Sequence, residues 1–195
     1  MGIDRAAVIG YSMGGRLALA FAVSHPTRVS ALLLESASAG IADEAQRSAR
    51  RAADDRLADT IERDGLEKFV IAWERLPLFA SQARLPQFRR DAIRGDRLRQ
   101  RENGLANSLR GFGQGAQPAL HSRLDRIACP VLLVVGDGDA KFRGIAADLA
   151  LRFPNARVEV VPAAGHAVHL EQPERFASIA RAFVQSAALA GEGTP

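Results

Sequence analysis

The stretch "AAVIGYSMGGRLALAFA" (residues 6–22) joins a short apolar run to a helical pattern through glycines and a serine. The apolar run is typical of a buried parallel strand, and the second half of the stretch has the composition of an α-helix. Between them, "GYSMG" (10–14) has the spacing G-x-S-x-G, in which a serine occupies a tight turn between a strand and a helix. The stretch therefore predicts a strand–turn–helix unit with an exposed serine, and its glycines are expected where any side chain would collide with backbone.

Three further apolar runs are interpreted as strands, namely "RVSALLLES" (28–36), "PVLLVVGDGD" (130–139) and "RVEVV" (157–161). Helical patterns separate or follow them. Strands that alternate with helices form a parallel sheet with helices on both faces. The predicted fold class is therefore α/β.

The middle of the chain has helical periodicity without strand patterns, with breaks expected at Gly65, Pro77, Pro86 and Gly95. We interpret it as a helical insertion. The predicted organisation is a core formed by residues 1–40 and 111–190, a helical lid over 41–110, and a disordered tail over 191–195. The glycine-rich "GFGQG" (111–115) is not expected to bind phosphate, because no strand precedes it.

Composition narrows the class of protein. The chain has 195 residues, of which 47% are apolar, and no apolar run approaches the roughly 20 residues of a membrane span. We expect no membrane partner and, since no signal-peptide pattern is present, a cytoplasmic location. Cys129 is the single cysteine, which excludes an internal disulfide and a cysteine metal cluster.

Positive charge is concentrated in the middle of the chain. Residues 47–110 contain 15 basic and 10 acidic side chains, a net charge of +5, whereas the rest of the chain has a net charge of −1. Nucleic-acid binding would favour basic residues interleaved with aromatic ones or a known module, and neither is present. A small anionic substrate explains the charge better.

A serine hydroxyl needs a base to react, so a histidine and an orienting carboxylate are expected further along the chain. The two loops after the last two strands supply the candidates. "VVGDGDAKF" contains Asp137 and Asp139, and we favour Asp139 because it lies further past the strand end. "VVPAAGHAVHLE" contains His166 and His169, and we favour His166, with His169 expected to support the loop.

The residue after the serine completes this predicted site. In a strand–turn–helix unit of this kind the backbone N–H that follows the serine points towards the reacting oxygen. Here that residue is Met13, which we expect to contribute to an oxyanion hole. The helix N-terminus behind it favours negative charge.

Five segments together resemble one family of the α/β-hydrolase superfamily, the 2-succinyl-6-hydroxy-2,4-cyclohexadiene-1-carboxylate synthases of menaquinone biosynthesis. The likeness extends from about residue 3 to 184. The serine turn alone is generic, whereas the lid segments are far more specific. The segments are "VIGYSMGGRLAL", "WERLPLFASQ", "GLANSLRGFGQGAQPAL", "VVGDGDAKFRGIA" and "AGHAVHLEQPERF".

The resemblance implies an α/β-hydrolase fold and a lyase that eliminates pyruvate without a cofactor or a metal. In this family the serine, activated by the histidine, removes a proton alpha to the succinyl ketone, and the conjugated system then expels pyruvate. On that pattern Ser12 is the base, His166 activates it and Asp139 orients His166.

The resemblance also implies substrate-binding residues. Arg50 and Arg99 match arginines that bind the carboxylates of the substrate, and Trp73 matches a tryptophan of the pocket, while Tyr11 is expected to shape the pocket wall. Some relatives have a tyrosine where this chain has Glu74. An ionised carboxylate cannot donate a hydrogen bond, so one substrate contact is expected to differ.

Members of this family have about 70–80 residues before the serine strand, including a loop that supplies a second oxyanion N–H. The present sequence begins one strand before the serine. We therefore expect the first strand to be an apolar sheet edge, and the 195 residues alone to have little or no activity. Two other interpretations stay open, namely a carboxylesterase or carbon–carbon bond hydrolase with the same residues, and an inactive fragment. The sequence does not predict an oligomeric state.

Overall fold

The computed structural model describes residues 2–192, in which the chain forms four strands and eight α-helices. The strands are β1 (Ala6–Tyr11), β2 (Val29–Glu35), β3 (Val131–Gly136) and β4 (Ala156–Val161). The helices are α1 (Met13–Ser24), α2 (Glu44–Asp64), α3 (Leu66–Glu74), α4 (Gln87–Leu98), α5 (Glu102–Phe112), α6 (Ala140–Ala150), α7 (Val168–Glu171) and α8 (Pro173–Glu192). Short 3₁₀ segments cover Pro26–Arg28, Pro77–Arg84 and His121–Arg126.

The chain divides into two compact units. The sheet unit contains the residues up to Ala39 and those from Leu120 onward, and the helical unit is Gly40–Ala119. The helical unit thus extends beyond the predicted lid (41–110). At the other end of the sequence, α8 reaches Glu192, so the first two residues of the predicted disordered tail are helical. Residues 193–195 lie outside the described part of the chain.

The sheet is parallel throughout and has the order β1-β2-β3-β4. The two inner strands are buried almost completely, which explains their continuous apolar sequences "VSALLLE" and "VLLVVG". Both outer strands are partly exposed and contain polar residues or alanine. The predicted α/β class is confirmed.

Helices cover both faces of this sheet. Helix α8 packs its Phe183 against one face, where Leu33 and Val134 are buried. Neighbouring residues along a strand point to opposite faces. Leu34 and Leu133 therefore belong to the other face, and they are 1% and 2% exposed. The strands also contact α1 and α6.

Strand β1 is an edge of the sheet within the described residues, as expected, and apolar side chains are exposed beside it. Ile9 on the strand is 49% exposed, and Leu17 and Phe21 on α1 are 50% and 42% exposed. An edge strand presents unpaired N–H and C=O groups that can pair with another chain. Apolar side chains next to such an edge favour aggregation.

The tight turn between β1 and α1 explains one glycine of the G-x-S-x-G spacing and not the other. A Cβ atom on Gly10 would lie 2.5 Å from the carbonyl oxygen of Gly14, whereas a Cβ on Gly14 would meet no heavy atom within 4 Å. The second collision is at Gly15, where a Cβ would lie 2.6 Å from that of Ala37. The expectation that both glycines of the spacing avoid a collision is therefore wrong for Gly14.

In the helical unit, three of the four predicted breaks are found. Helix α2 ends at Asp64 with Gly65 as its C-cap, a 3₁₀ segment begins at Pro77, and Pro86 precedes α4. The break predicted at Gly95 is wrong, because this residue lies inside α4. A glycine inside a helix costs only about 1 kcal/mol relative to alanine, so the contacts of the helix can outweigh it.

The glycines of "GFGQG" allow this segment to pack against α2. A Cβ on Gly115 would lie 2.1 Å from the backbone nitrogen of Arg51. The Gly115 N–H donates a hydrogen bond to the buried carboxylate of Asp54, at 3.1 Å. Packing within the helical unit, and not an anion, accounts for the glycine here.

None of the helices formed by residues 2–192 is long and apolar enough to cross a membrane.

We predict opposite effects for two glycine substitutions. Gly10→Ala should lower the free energy of unfolding by about 1–3 kcal/mol, because backbone must move to admit the methyl group. Gly14→Ala should leave it unchanged or raise it by up to about 1 kcal/mol, since the site is open and alanine favours a helix. Urea unfolding followed by circular dichroism measures both, and equal losses would contradict the packing argument.

We predict that Ile9→Lys slows aggregation of the purified chain, because a charge on the edge of a sheet opposes pairing with a second chain. Leu151→Lys is the matched control, since Leu151 is 87% exposed and lies outside the strands. Light scattering at equal concentrations measures the rate. If both substitutions slow aggregation equally, added charge and not the sheet edge is the cause.

Candidate active site

Ser12 occupies the turn between β1 and α1 in a strained backbone conformation. Its φ is 48° and its ψ is −109°, values that residues other than glycine rarely adopt. The Ser12 N–H donates a hydrogen bond to the carbonyl oxygen of Glu35 at the end of β2, at 2.8 Å. The turn therefore holds Ser12 at the carboxyl end of the sheet.

His166 connects Ser12 to Asp139. It lies in the loop after β4 and is 1% exposed. Its Nδ1–H donates to Oδ2 of Asp139 at 2.7 Å, and its Nε2 lies 3.1 Å from Oγ of Ser12. An ionised carboxylate only accepts hydrogen bonds, so the proton belongs on Nδ1 and Nε2 can accept the hydroxyl proton of Ser12.

Asp139 is fixed by its position at the N-terminus of α6. It is 7% exposed, and its Oδ1 accepts a hydrogen bond from the Phe142 N–H at 3.2 Å, which caps the helix. Asp137 is exposed, and its carbonyl oxygen accepts a hydrogen bond from Arg143. The structure thus brings the favoured carboxylate, and not its alternative, to His166.

A second carboxylate, which the sequence analysis did not consider, shapes the loop of His166. Glu171 is 7% exposed and accepts hydrogen bonds from the N–H groups of Gly165 and Ala167, at 2.8 and 3.3 Å. These donors flank His166 directly. The only sequence signal is an acidic residue five positions after the histidine, which is also common on a solvated helix.

Tyr11 and Met13 lie on either side of Ser12 in the sequence. The Tyr11 ring lies 5.4 Å from the imidazole of His166 and 4.6 Å from that of His169, measured between centroids. Tyr11 therefore forms a wall beside both histidines. Met13 begins α1, so its N–H belongs to the first turn, where donors have no carbonyl partner within the helix.

The predicted substrate arginines lie in the helical unit, where both contact carboxylates. Arg50 donates to Asp54 at 2.7 Å and to Gln114 at 2.6 Å. Arg99 pairs with Asp96 on the surface, and its side chain is 73% exposed.

The predicted pocket tryptophan belongs to an aromatic cluster of the same unit. The Trp73 ring lies 5.2 Å from Phe69 and 5.6 Å from Phe79, measured between centroids. The adjacent Glu74 accepts hydrogen bonds from Arg94 and Arg97, at 2.5 and 3.2 Å. Glu74 thus acts as an acceptor for arginines where a tyrosine would offer a donor.

A cavity of about 310 Å³ opens beside this ion-pair cluster. Glu74, Arg94 and Arg97 line it, together with Phe79 and Gln82. The cavity therefore combines an aromatic wall with charged groups that are already paired with one another.

Two further ionisable groups, which lie outside the array of Ser12, His166 and Asp139, have shifted pKa values. Burial raises the pKa of the Cys129 thiol, which disfavours the nucleophilic thiolate. Burial, with a smaller contribution from Arg152, lowers the pKa of the His121 imidazole. Among residues 2–192 there is no group of three or more histidine, cysteine or acidic side chains that could hold a metal ion.

Arg16 is a further charged residue near Ser12 that the sequence analysis did not assign. It lies one turn after Ser12 on α1, its N–H donates to the Ser12 carbonyl oxygen, and it is 6% exposed. The G-x-S-x-G spacing does not predict a buried arginine in the helix that follows the serine.

The hydrogen-bonded array of Ser12, His166 and Asp139 can transfer a proton. The imidazole takes the hydroxyl proton, the carboxylate stabilises the resulting imidazolium, and the serine oxygen then reacts as a nucleophile or a base. Negative charge that develops on a bound carbonyl would be stabilised by first-turn N–H groups of α1. The geometry fits both acyl transfer and proton abstraction beside a carbonyl.

Comparisons with known proteins identify the family of this chain. Residues 1–173 match the family described as alpha/beta hydrolase fold. A Bacillus subtilis protein named "Putative 2-succinyl-6-hydroxy-2,4-cyclohexadiene-1-carboxylate synthase" is 50% identical over 184 residues, which are 94% of this chain and 67% of that protein. The synthase of that name from Serratia proteamaculans is 33% identical, over 94% of this chain and 69% of its own.

Two solved structures are also similar to this chain. MenH from S. aureus is 40% identical, with a TM-score of 0.90, over 92% of this chain and 68% of its own. A thermophilic esterase from Thermogutta terrifontis is 28% identical, with a TM-score of 0.78, over 94% of this chain and 66% of its own. The chain therefore belongs to the α/β-hydrolase family and, within it, to the enzyme family of the 2-succinyl-6-hydroxy-2,4-cyclohexadiene-1-carboxylate synthases.

Proposed function

We propose that this chain catalyses the elimination of pyruvate from 2-succinyl-5-enolpyruvyl-6-hydroxy-3-cyclohexene-1-carboxylate, which gives 2-succinyl-6-hydroxy-2,4-cyclohexadiene-1-carboxylate. The observation that supports it most is the position of His166, hydrogen-bonded to Asp139 and to Ser12, in a chain that resembles proteins named for this product. Other members of the superfamily share such an array, so the substrate is inferred from the family.

The proposed reaction needs a base rather than a nucleophile. Nε2 of His166 accepts the Ser12 hydroxyl proton, and the serine oxygen takes the proton alpha to the succinyl ketone. The C–H electron pair forms an enolate, whose oxygen is stabilised by the Met13 N–H and the helix N-terminus. The conjugated electrons then break the ring carbon–oxygen bond, and pyruvate leaves as its enolate, which takes up a proton.

The substrate is a polycarboxylate, and the helical unit offers the cations to bind it. In this proposal Arg50, Arg99 and Trp73 of the helical unit are substrate contacts. The Arg99–Asp96 pair is exposed, and such pairs contribute about 0–1 kcal/mol, so a substrate carboxylate can replace Asp96. Arg50 keeps a buried partner, which orients its remaining N–H donors.

The first test is the ratio of two activities of the purified chain. We expect pyruvate release from the enolpyruvyl substrate, followed with lactate dehydrogenase, to exceed the hydrolysis of p-nitrophenyl acetate. Ser12→Ala should abolish the release, because the remaining groups cannot take the alpha proton.

Ester hydrolysis without pyruvate release would instead favour the carboxylesterase interpretation, which the likeness to the Thermogutta terrifontis esterase supports. Absence of both activities, together with an unreactive Ser12, would favour an inactive fragment. Reaction of Ser12 with a fluorophosphonate, which bonds phosphorus to Oγ as fluoride leaves, separates a reactive serine from an inert one.

The two aspartates of the loop after β3 give a matched pair of variants. We predict that Asp139→Asn lowers the rate of fluorophosphonate labelling at Ser12 by up to about 10⁴-fold, because the amide no longer holds the imidazole in the required tautomer. Asp137→Asn should stay within about twofold of the unsubstituted chain, since this side chain is exposed. Mass spectrometry of the labelled peptide measures both rates, and the reverse order would assign the role to Asp137.

A further inference from the structure

A second carboxylate–imidazole pair lies beside the array of Ser12, His166 and Asp139. Glu35 is the last residue of β2 and is 1% exposed. Its carboxylate accepts a hydrogen bond from the His169 N–H at 3.0 Å. It also accepts one from the His169 Nδ1–H, which lies 2.9 Å from both carboxylate oxygens. A carboxylate buried to this degree is costly unless such donors satisfy it.

Glu35 connects the two chain segments that must meet for Ser12 to react. Its backbone carbonyl accepts the hydrogen bond from the Ser12 N–H, and its side chain holds His169 through both backbone and ring. His169 follows His166 by three residues, at the start of α7. One residue of the sheet thus contacts both the serine turn and the histidine loop.

The ring of His169 also contacts Tyr11, the residue before Ser12. It meets the Tyr11 ring edge-on at 4.6 Å, and Tyr11 in turn lies 5.4 Å from the His166 ring. Glu171, by contrast, accepts hydrogen bonds from N–H groups of the histidine loop itself. Glu171 therefore shapes the loop, whereas Glu35 sets its place relative to Ser12.

We propose that Glu35 and His169 are positioning residues, whose hydrogen bonds set the distance between His166 Nε2 and Ser12 Oγ. Proton transfer across this distance requires close alignment, and a displacement of about 1 Å can lower a rate by roughly 100-fold. The inference rests on the proposed reaction of Ser12 with His166 as its base, and does not depend on which substrate is used.

Two substitutions of His169 separate its hydrogen bond from its ring. His169→Asn keeps an N–H donor at the position of Nδ1 and loses the contact with Tyr11, whereas His169→Phe keeps a ring and loses the donor. If the hydrogen bond positions the site, fluorophosphonate labelling of Ser12 should fall about 10–100-fold in His169→Phe and stay within about threefold in His169→Asn. Equal losses in both, or the reverse order, would overturn the proposal.

A double variant separates positioning from stability. Glu35→Met combined with His169→Phe removes the buried charge that has lost its imidazole partner, so the free energy of unfolding should recover relative to His169→Phe alone. Labelling should remain slow, because the hydrogen bonds to the histidine loop are still missing. Recovery of labelling along with stability would show that the pair only stabilises the fold, and would refute a positioning role.

A readout independent of reactivity keeps the two proposals apart. The proton on His166 Nδ1, hydrogen-bonded to Asp139, should give a resonance at low field in the proton NMR spectrum. It should persist in His169→Asn and broaden or vanish in His169→Phe, even if Ser12 of the unsubstituted chain fails to label. Failure to label would count against the proposed function, whereas an unchanged resonance in His169→Phe would count against positioning by Glu35 and His169.

Discussion

The close approach of the end of β1 to the first turn of α1 is the constraint on which the site depends. The chain reverses so sharply that Gly10 cannot bear a side chain, and Ser12 is left with a positive φ. Such a conformation costs of order 1–3 kcal/mol and persists only where surrounding contacts determine it. Here those contacts are the Ser12 N–H bond to β2 and the packing of Gly15 against Ala37. The strain is therefore offset by the sheet, and the serine oxygen stays at the carboxyl edge, where the loops after β3 and β4 begin.

The residues of the proposed site whose positions follow from topology could be chosen from the sequence. Ser12 is part of a local motif, and the carboxyl ends of β3 and β4 lie on the same edge of a parallel sheet, so Asp139 and His166 are brought to it. The choice of Asp139 over Asp137 depended on its distance past the strand end, and the geometry agrees with it. Each of these positions follows from the order of the elements alone.

The residues that the sequence analysis did not assign are those whose role depends on side-chain burial. Glu35 ends an apolar run and Glu171 is the last residue of the short helix α7, and nothing in one sequence tells a buried acceptor from a solvated charge. The incorrect break at Gly95 has a related cause, since the contacts that keep α4 intact are tertiary.

Several basic residues of the positively charged middle segment already have partners in the structure. Arg50, Arg94, Arg97 and Arg110 all contact carboxylates or amides of their own unit, so a bound anion would have to compete with them.

The separation of the reacting groups along the chain has a consequence for folding. Ser12 and His166 are 154 residues apart, and Glu35 and His169 are 134 apart. Contacts between distant residues pay the entropy of closing a long loop before they contribute stability, so they slow folding. Helices form within microseconds from local contacts. During refolding the helical signal should therefore recover before Ser12 becomes reactive, and the reactivity of this one hydroxyl reports the completed fold more strictly than helix content does.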